Sequence, residues 1–256
     1  MKHNRTISKI LVPIAGAVIL TTASNAAVLA QYTFPDPDGN GSIVGTDVTT
    51  DTDLNSLASS LGIGSAGNEF NTVGSGDQGF STGSITNFLG GGATALTPHR
   101  FVRGNRTTAT VVGAIANNDY FKFTLTPNAT FLANLTDLFF DYSGTGTSSI
   151  ENTSTFFVRS GADDFAADIG TTVLAAQFAG NSVFRRQTID LSGASFQNLT
   201  AAIEFRIYVM NSVTATNDGV ARLDNITLNG TIVPEPSSLA LVGSLGVLAL
   251  LRRRRA

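Results

Sequence analysis

The chain has 256 residues, 42% of them hydrophobic, and a formal charge of −3 from 16 basic and 19 acidic side chains. It has no cysteine, which excludes thiol nucleophiles and thiolate metal sites, and its body keeps a single histidine, His99, which excludes any site needing two imidazoles and argues against the usual Ser/His catalytic arrangement. Between Gln31 and Val233 nine Lys and Arg stand against eighteen Asp and Glu, an acidic excess that argues against nucleic acid or an anionic membrane surface as a partner.

At the start of the chain Lys2, Arg5 and Lys9 precede an apolar stretch from Ile10 to Leu20, and small residues follow. That is the order of a secretory signal peptide, and an apolar stretch this short, broken by Pro13, does not cross a bilayer as a permanent span. Residues 1–26 are therefore a leader for the Sec translocon. Ser24-Asn25-Ala26 and Val28-Leu29-Ala30 both offer small residues to signal peptidase, so the mature chain begins at Ala27 or at Gln31.

Removal of the two ends leaves a body of roughly 31–232, enough for one domain with a real core. Near its start, Asp36-Pro37-Asp38-Gly39-Asn40-Gly41 is followed by Asp47. Asp36, Asp38, Asn40 and Asp47 thus fall at loop positions 1, 3, 5 and 12, with Gly at 6, the spacing by which a loop wraps calcium. Position 12 is Asp where a bidentate Glu is usual, and Pro35 and Pro37 oppose a flanking helix, so a plain Asp/Pro/Gly turn competes with the calcium reading. From Gly62 to Gly92 glycine supplies ten of 31 residues, which predicts long loops around one or two short edge strands. His99, between Pro98 and Arg100, has the setting of a loop residue.

The second half of the body alternates with period two. Phe121, Phe123 and Leu125 share one face of a strand over 120–126; Leu138, Phe140 and Tyr142 share a face further on; Phe156 and Val158, then Ile189 and Leu191, do the same. The clearest strand runs over 202–210, with Ile203, Phe205, Ile207 and Val209 on one side and Glu204, Arg206, Tyr208 and Met210 on the other. A last strand covers Val220 to Leu228, closed by Asn229-Gly230. Polar turns separate these runs, long helical periodicity is scarce and no fixed repeat is present, so the expected fold is all-β, an antiparallel sandwich and not a solenoid.

Glu204, Arg206 and Tyr208 project from one strand face and have the groups to hydrogen-bond and stack a sugar ring, although the absence of Trp weakens such a platform. A second calcium arrangement would join Asp224 on the last strand to an acid near the first. Asp163 and Asp164 are adjacent in a turn and point apart, whereas a glycosidase needs carboxyl groups facing each other across about 5 to 9 Å. No enzymatic activity is expected.

At the far end Pro234-Glu235-Pro236 is followed by an apolar segment over 237–251 and by Arg252, Arg253, Arg254 and Arg255. The run from Leu239 to Leu251 spans only about 20 Å as a helix against a hydrocarbon core of about 30 Å, a thin anchor whose arginines stay on the cytoplasmic side. The order Pro-Glu-Pro, short apolar helix, arginine cluster resembles the PEP-CTERM sorting tail of exopolysaccharide-producing Gram-negative bacteria. The same tail also carries the label ice-binding protein C-terminal domain, which names the tail and is no evidence of ice binding. The resemblance implies that an exosortase reads Pro234, Glu235 and Pro236 in the sorting tail at 233–256, removes its apolar helix at 237–251, and releases the body to the cell surface or the exopolysaccharide matrix.

A second resemblance covers roughly the second half of the body. Tyr120-Phe121-Lys122-Phe123-Thr124-Leu125-Thr126-Pro127, Phe140-Asp141-Tyr142, Val158-Arg159-Ser160, Phe205-Arg206-Ile207-Tyr208 and Arg222 to Gly230 look like the jelly-roll body common among proteins with this tail, and Gln31-Tyr32-Thr33-Phe34 fits its opening strand. Such bodies are similar in architecture to galactose-binding-like carbohydrate modules. The resemblance implies a non-enzymatic structural or interaction module, with carbohydrate binding as the rival role and exopolysaccharide as the matching partner.

Overall fold

The computed structural model describes residues 26–33, 48–49, 53–64, 80–82, 87–88, 100–105, 110–145, 152–177, 183–211 and 220–235. In chain order the strands are β1 (Ala27–Thr33), β2 (Val48–Thr49), β3 (Ser56–Ala58), β4 (Gly62–Ile63), β5 (Phe80–Thr82), β6 (Asn87–Phe88) and β7 (Arg100–Asn105). After helix α1 (Val111–Asn117) come β8 (Tyr120–Pro127), β9 (Phe131–Thr145), β10 (Asn152–Ser160), β11 (Ile169–Gln177), β12 (Val183–Asp190), β13 (Ile203–Asn211) and β14 (Val220–Pro234).

Two sheets result. The first has the order β2-β1-β14-β9-β12-β6, with β7 also pairing β14 and β5 pairing β7; the second has the order β11-β10-β13-β8-β3, with β4 also on β8. Neighbours are antiparallel except β6, which runs parallel to β12. Period-two alternation sends one side of every long strand into a shared core. Leu29, Tyr32, Leu138, Phe140, Tyr142, Leu223, Ile226 and Leu228 of the first sheet meet Phe121, Phe123, Leu125, Phe156, Val158, Phe205, Ile207 and Val209 of the second. Ring pairs tie the layers together: Tyr32 lies 5.2 Å from Phe123, and Tyr142 lies 5.4 Å from Phe156. The expected antiparallel sandwich is present, and the inward faces are those the alternation named.

Three details differ from the sequence reading. The last strand does not close at Asn229-Gly230 but runs to Pro234, and that dipeptide is a register shift within the β14–β9 ladder. A Cβ on Gly230 would stand 2.6 Å from the Asn134 carbonyl oxygen and 2.9 Å from Leu29 Cδ1, so the glycine answers a close backbone approach and not a turn. Within 62–92 the described residues form three short strands, β4, β5 and β6, where one or two were expected. The helix α1 was not foreseen. Thr110 caps it by accepting from the Gly113 amide at 3.0 Å, and Asn118 ends it in the left-handed region. It lays Ala114, Val111 and Ile115 over Tyr120, Phe157 and Tyr208, a small second cluster on the outside of the second sheet.

The compact body spans Asn25–Glu235. Among the described residues no helix is long and apolar enough to cross a membrane. The leader, the apolar segment at 237–251 and Arg252 to Arg255 lie outside the described residues, as do Asp36, Asp38, Asn40, Asp47 and His99.

Candidate functional site

The point where the chain leaves the sandwich is built by the longest ladder among the described residues. β14 and β9 pair from Val220 opposite Thr145 to Pro234 opposite Phe131. Proline ends a ladder without loss because it has no amide to donate, and the next residue resumes the pattern, with the Glu235 N–H donating to the Thr130 carbonyl at 2.8 Å. Pro234 and Glu235 are thus part of the folded sheet; Pro236 lies outside the described residues. The turn they join is Asn128 to Thr130, between β8 and β9, where Thr130 takes a φ of 72°. It is fastened to the segment before β3: the Asn128 amide donates to the Asn55 carbonyl at 2.8 Å and its side-chain amide to the Leu54 carbonyl at 3.0 Å.

Glu204, Arg206 and Tyr208 do share the outer face of β13, but they are not equally open. Tyr208 is 1% exposed, stacked on Phe157 with 4.8 Å between ring centres and a 5° interplanar angle, beneath α1. Its ring therefore has no free face for a sugar, and the stacking role expected of it fails because a helix covers the strand at that point. Arg206 donates to Glu204 at 2.6 Å and lies over two rings, 4.8 Å from the centre of Tyr120 and 3.5 Å from that of Phe165. Burial lowers the Arg206 pKa, but bonds to Glu204 and Tyr208 and nearby charge outweigh it, so the guanidinium is held charged. Arg159, opposite Arg206 on β10, donates to Asp168 at 2.7 Å and to the Phe165 carbonyl at 2.8 Å. The two arginines pin the loop 161–168, in which Asp164 and Phe165 both take positive φ. Asp163 accepts from the Ala166 and Ala167 amides, so this carboxylate is a turn cap.

The outer face of the first sheet holds a polar network that the sequence reading missed. Asp141 of β9 and Asp224 of β14 are register partners, 2% and 1% exposed. Arg186 of β12 binds Asp141 through two bonds, 2.7 and 2.8 Å, while lying 4.4 Å over the Phe139 ring. The Asn225 side-chain amide donates to Asp141 at 3.1 Å, and Gln31 of β1 donates to Asn225 at 3.0 Å, so four strands are joined laterally. The Asp141 bonds raise the Arg186 pKa against the opposing effect of burial. Asp224 was expected to face an acid near the first strand across calcium; in the sheet its register partner is Asp141 of β9, with Arg186 alongside. Among the described residues no group of three or more His, Asp or Glu side chains is placed to hold a metal ion.

The model of the PEP-CTERM protein-sorting motif matches residues 233–255. The chain carries a PEP-CTERM sorting motif. That motif implies sorting by an exosortase, with export and membrane-anchored processing, and Pro234, Glu235 and Pro236 are the Pro-Glu-Pro within the matched stretch. No curated protein matches this chain. Among solved structures, the K1 cleaved adhesin domain of Lys-gingipain from Porphyromonas gingivalis W83 is 12% identical, with 80% of this chain and 98% of that one covered at a TM-score of 0.34. The carbohydrate-binding module TmCBM27, described for specific mannan recognition, is 12% identical over 81% of this chain and 99% of its own, at 0.37. The N-terminal cellulose-binding domain of a β-1,4-glucanase C from Cellulomonas fimi is 11% identical over 53% and 81%, at 0.28. At scores this low the three carry no argument about this chain. What bears on the PEP-CTERM motif is the geometry at its start, where its first residues are strand β14.

Proposed function

We propose that this is an exported protein whose tail is read by an exosortase, which removes the apolar helix and frees the sandwich as a non-enzymatic interaction or structural module of the cell surface or the exopolysaccharide matrix. The observation that carries this is the sorting motif at 233–255. In this reading residues 1–26 are the leader removed by signal peptidase, the mature chain starts at Ala27, and Arg252 to Arg255 hold the end of the chain in the cytoplasm until processing. The sandwich is then the jelly-roll body that accompanies such tails. Glu235→Ala, or deletion of the host exosortase, is expected to leave a membrane-bound form heavier than the released body by the mass of the tail. Peptides running through Arg252 in wild-type surface material, found by mass spectrometry, would show a permanent anchor and end this reading.

The rival is a carbohydrate-binding module. What favours it is the part of the second sheet's outer face that α1 leaves accessible, where the Glu204 and Arg206 side chains keep 26% and 24% exposure beside the Phe165 ring. Saturable binding of the purified body on a glycan array, lost in Arg206→Ala, would replace the structural reading with this one.

A further inference from the structure

Three large apolar side chains are strongly exposed among the described residues: Leu54 at 95%, Leu57 at 64% and Val112 at 76%. Two of the three stand at one end of the sandwich, and it is the end from which the tail departs. Leu54 is fastened to Asn128 by the bond to its carbonyl oxygen, Leu57 of β3 pairs with Thr126 of β8, and Thr130, two residues beyond Asn128, holds the Glu235 amide. Val112 is on α1, before the opposite end of β8, a strand of eight residues and so about 26 Å long.

Covalent reach then fixes what this end meets while the tail is in the bilayer. Glu235 is held in the sheet, and only Pro236, Ser237 and Ser238 separate it from Leu239, the first residue of the apolar run. Four residue steps span at most about 14 Å even when fully extended. Glu235 therefore stays within that distance of the start of the apolar run, and the Asn128 to Thr130 turn bonded to it is kept close to the membrane surface as long as the ladder stays intact.

We propose that, before the tail is removed, this end of the sandwich docks on the lipid surface with Leu54 and Leu57 in the headgroup layer. The inference rests on the anchored form of the protein described above and goes beyond it. The contact is apolar and enforced by the tether, since the acidic body gains no attraction from anionic lipid. Leu54 ends a chain of hydrogen bonds instead of filling a core position, so its exposure has no packing purpose in the free body. Docking also sets the depth of Pro234 and Glu235, presenting the motif at the interface and not out in solution.

The chain has no cysteine, so one introduced cysteine carries a unique label. Leu54→Cys, Leu57→Cys, Val112→Cys and Ala240→Cys are each made in the full-length protein, labelled with an environment-sensitive fluorophore and reconstituted into phosphatidylcholine vesicles with or without a lipid-borne quencher. The expected result is a blue shift and loss of emission at positions 54, 57 and 240, with neither at 112. Quenching at 240 with none at 54 and 57 overturns the docking while leaving the anchored tail intact. No quenching at 240 means that the tail is not inserted, and it overturns both. Equal quenching at 54, 57 and 112 shows contact without a preferred end and also overturns the proposal. All three body positions are exposed, so the labels leave the core undisturbed.

Discussion

Arg186 does more for this fold than its place on a solvent-facing side of a strand suggests. Its guanidinium is bonded twice to Asp141, which is 2% exposed and lies in register with the equally hidden Asp224. Removing the cation leaves two buried carboxylates facing each other, and losing one member of a buried pair costs about 3–5 kcal/mol. The Arg186 side chain keeps 26% exposure, which lets water screen part of that loss. Arg186→Met is therefore expected to destabilise the body by about 2–3 kcal/mol, read as a lower urea midpoint with an unchanged slope. Adding Asp141→Asn to that variant should recover part of the loss, because the orphaned charge is gone. No alternation pattern pointed to this set, since a pattern says which face a residue occupies and not how deeply the outer face is covered.

At the scale of the element, β14 decides most. It pairs with β1, β7 and β9 and carries the chain to the first residue of the sorting motif. Its register shift at Asn229/Gly230 works because Gly230 has no side chain. Gly230→Ala should cost about 1–3 kcal/mol through its 2.6 Å approach to the Asn134 carbonyl. Gly193→Ala is the contrast. A Cβ there meets nothing within 4 Å, and the residue's φ of −63° suits alanine, so the change should be neutral or slightly stabilising. Thermal melts of the two variants against the parent check both statements, and equal losses would remove the steric account of the bulge. The period-two strands were legible element by element because both sheets are half-buried. Asn229-Gly230 misled because the same dipeptide serves a turn and a bulge, and only the partner strand distinguishes them. The helix α1 left a weak signal, Thr110 and Asn118 around a seven-residue run rich in β-branched side chains, which propensity alone does not favour.

For the whole molecule the two ends and the body constrain one another. β1 starts at Ala27, and Leu29 and Ala30 are 0% exposed in the core. A mature chain beginning at Gln31 would lose a buried leucine and the Ala27 and Val28 pairings to β14, at the ~2–5 kcal/mol of an unfilled core site. Cleavage after Ala26 is thus expected, and mass spectrometry of the exported form should give Ala27 as its first residue; a Gln31 start would show that β1 is dispensable there. The sorting motif, the acidic excess and the β-sandwich class were all determined by the sequence by itself. They rest on local order, charge and period-two alternation, which need no knowledge of what lies opposite. Tertiary structure alone decided the burial of Tyr208, the Asp141–Arg186–Asp224 grouping and the fusion of Pro234 and Glu235 to the sheet. Each of these depends on which distant segment packs alongside, and the chain carries no local mark of its neighbour.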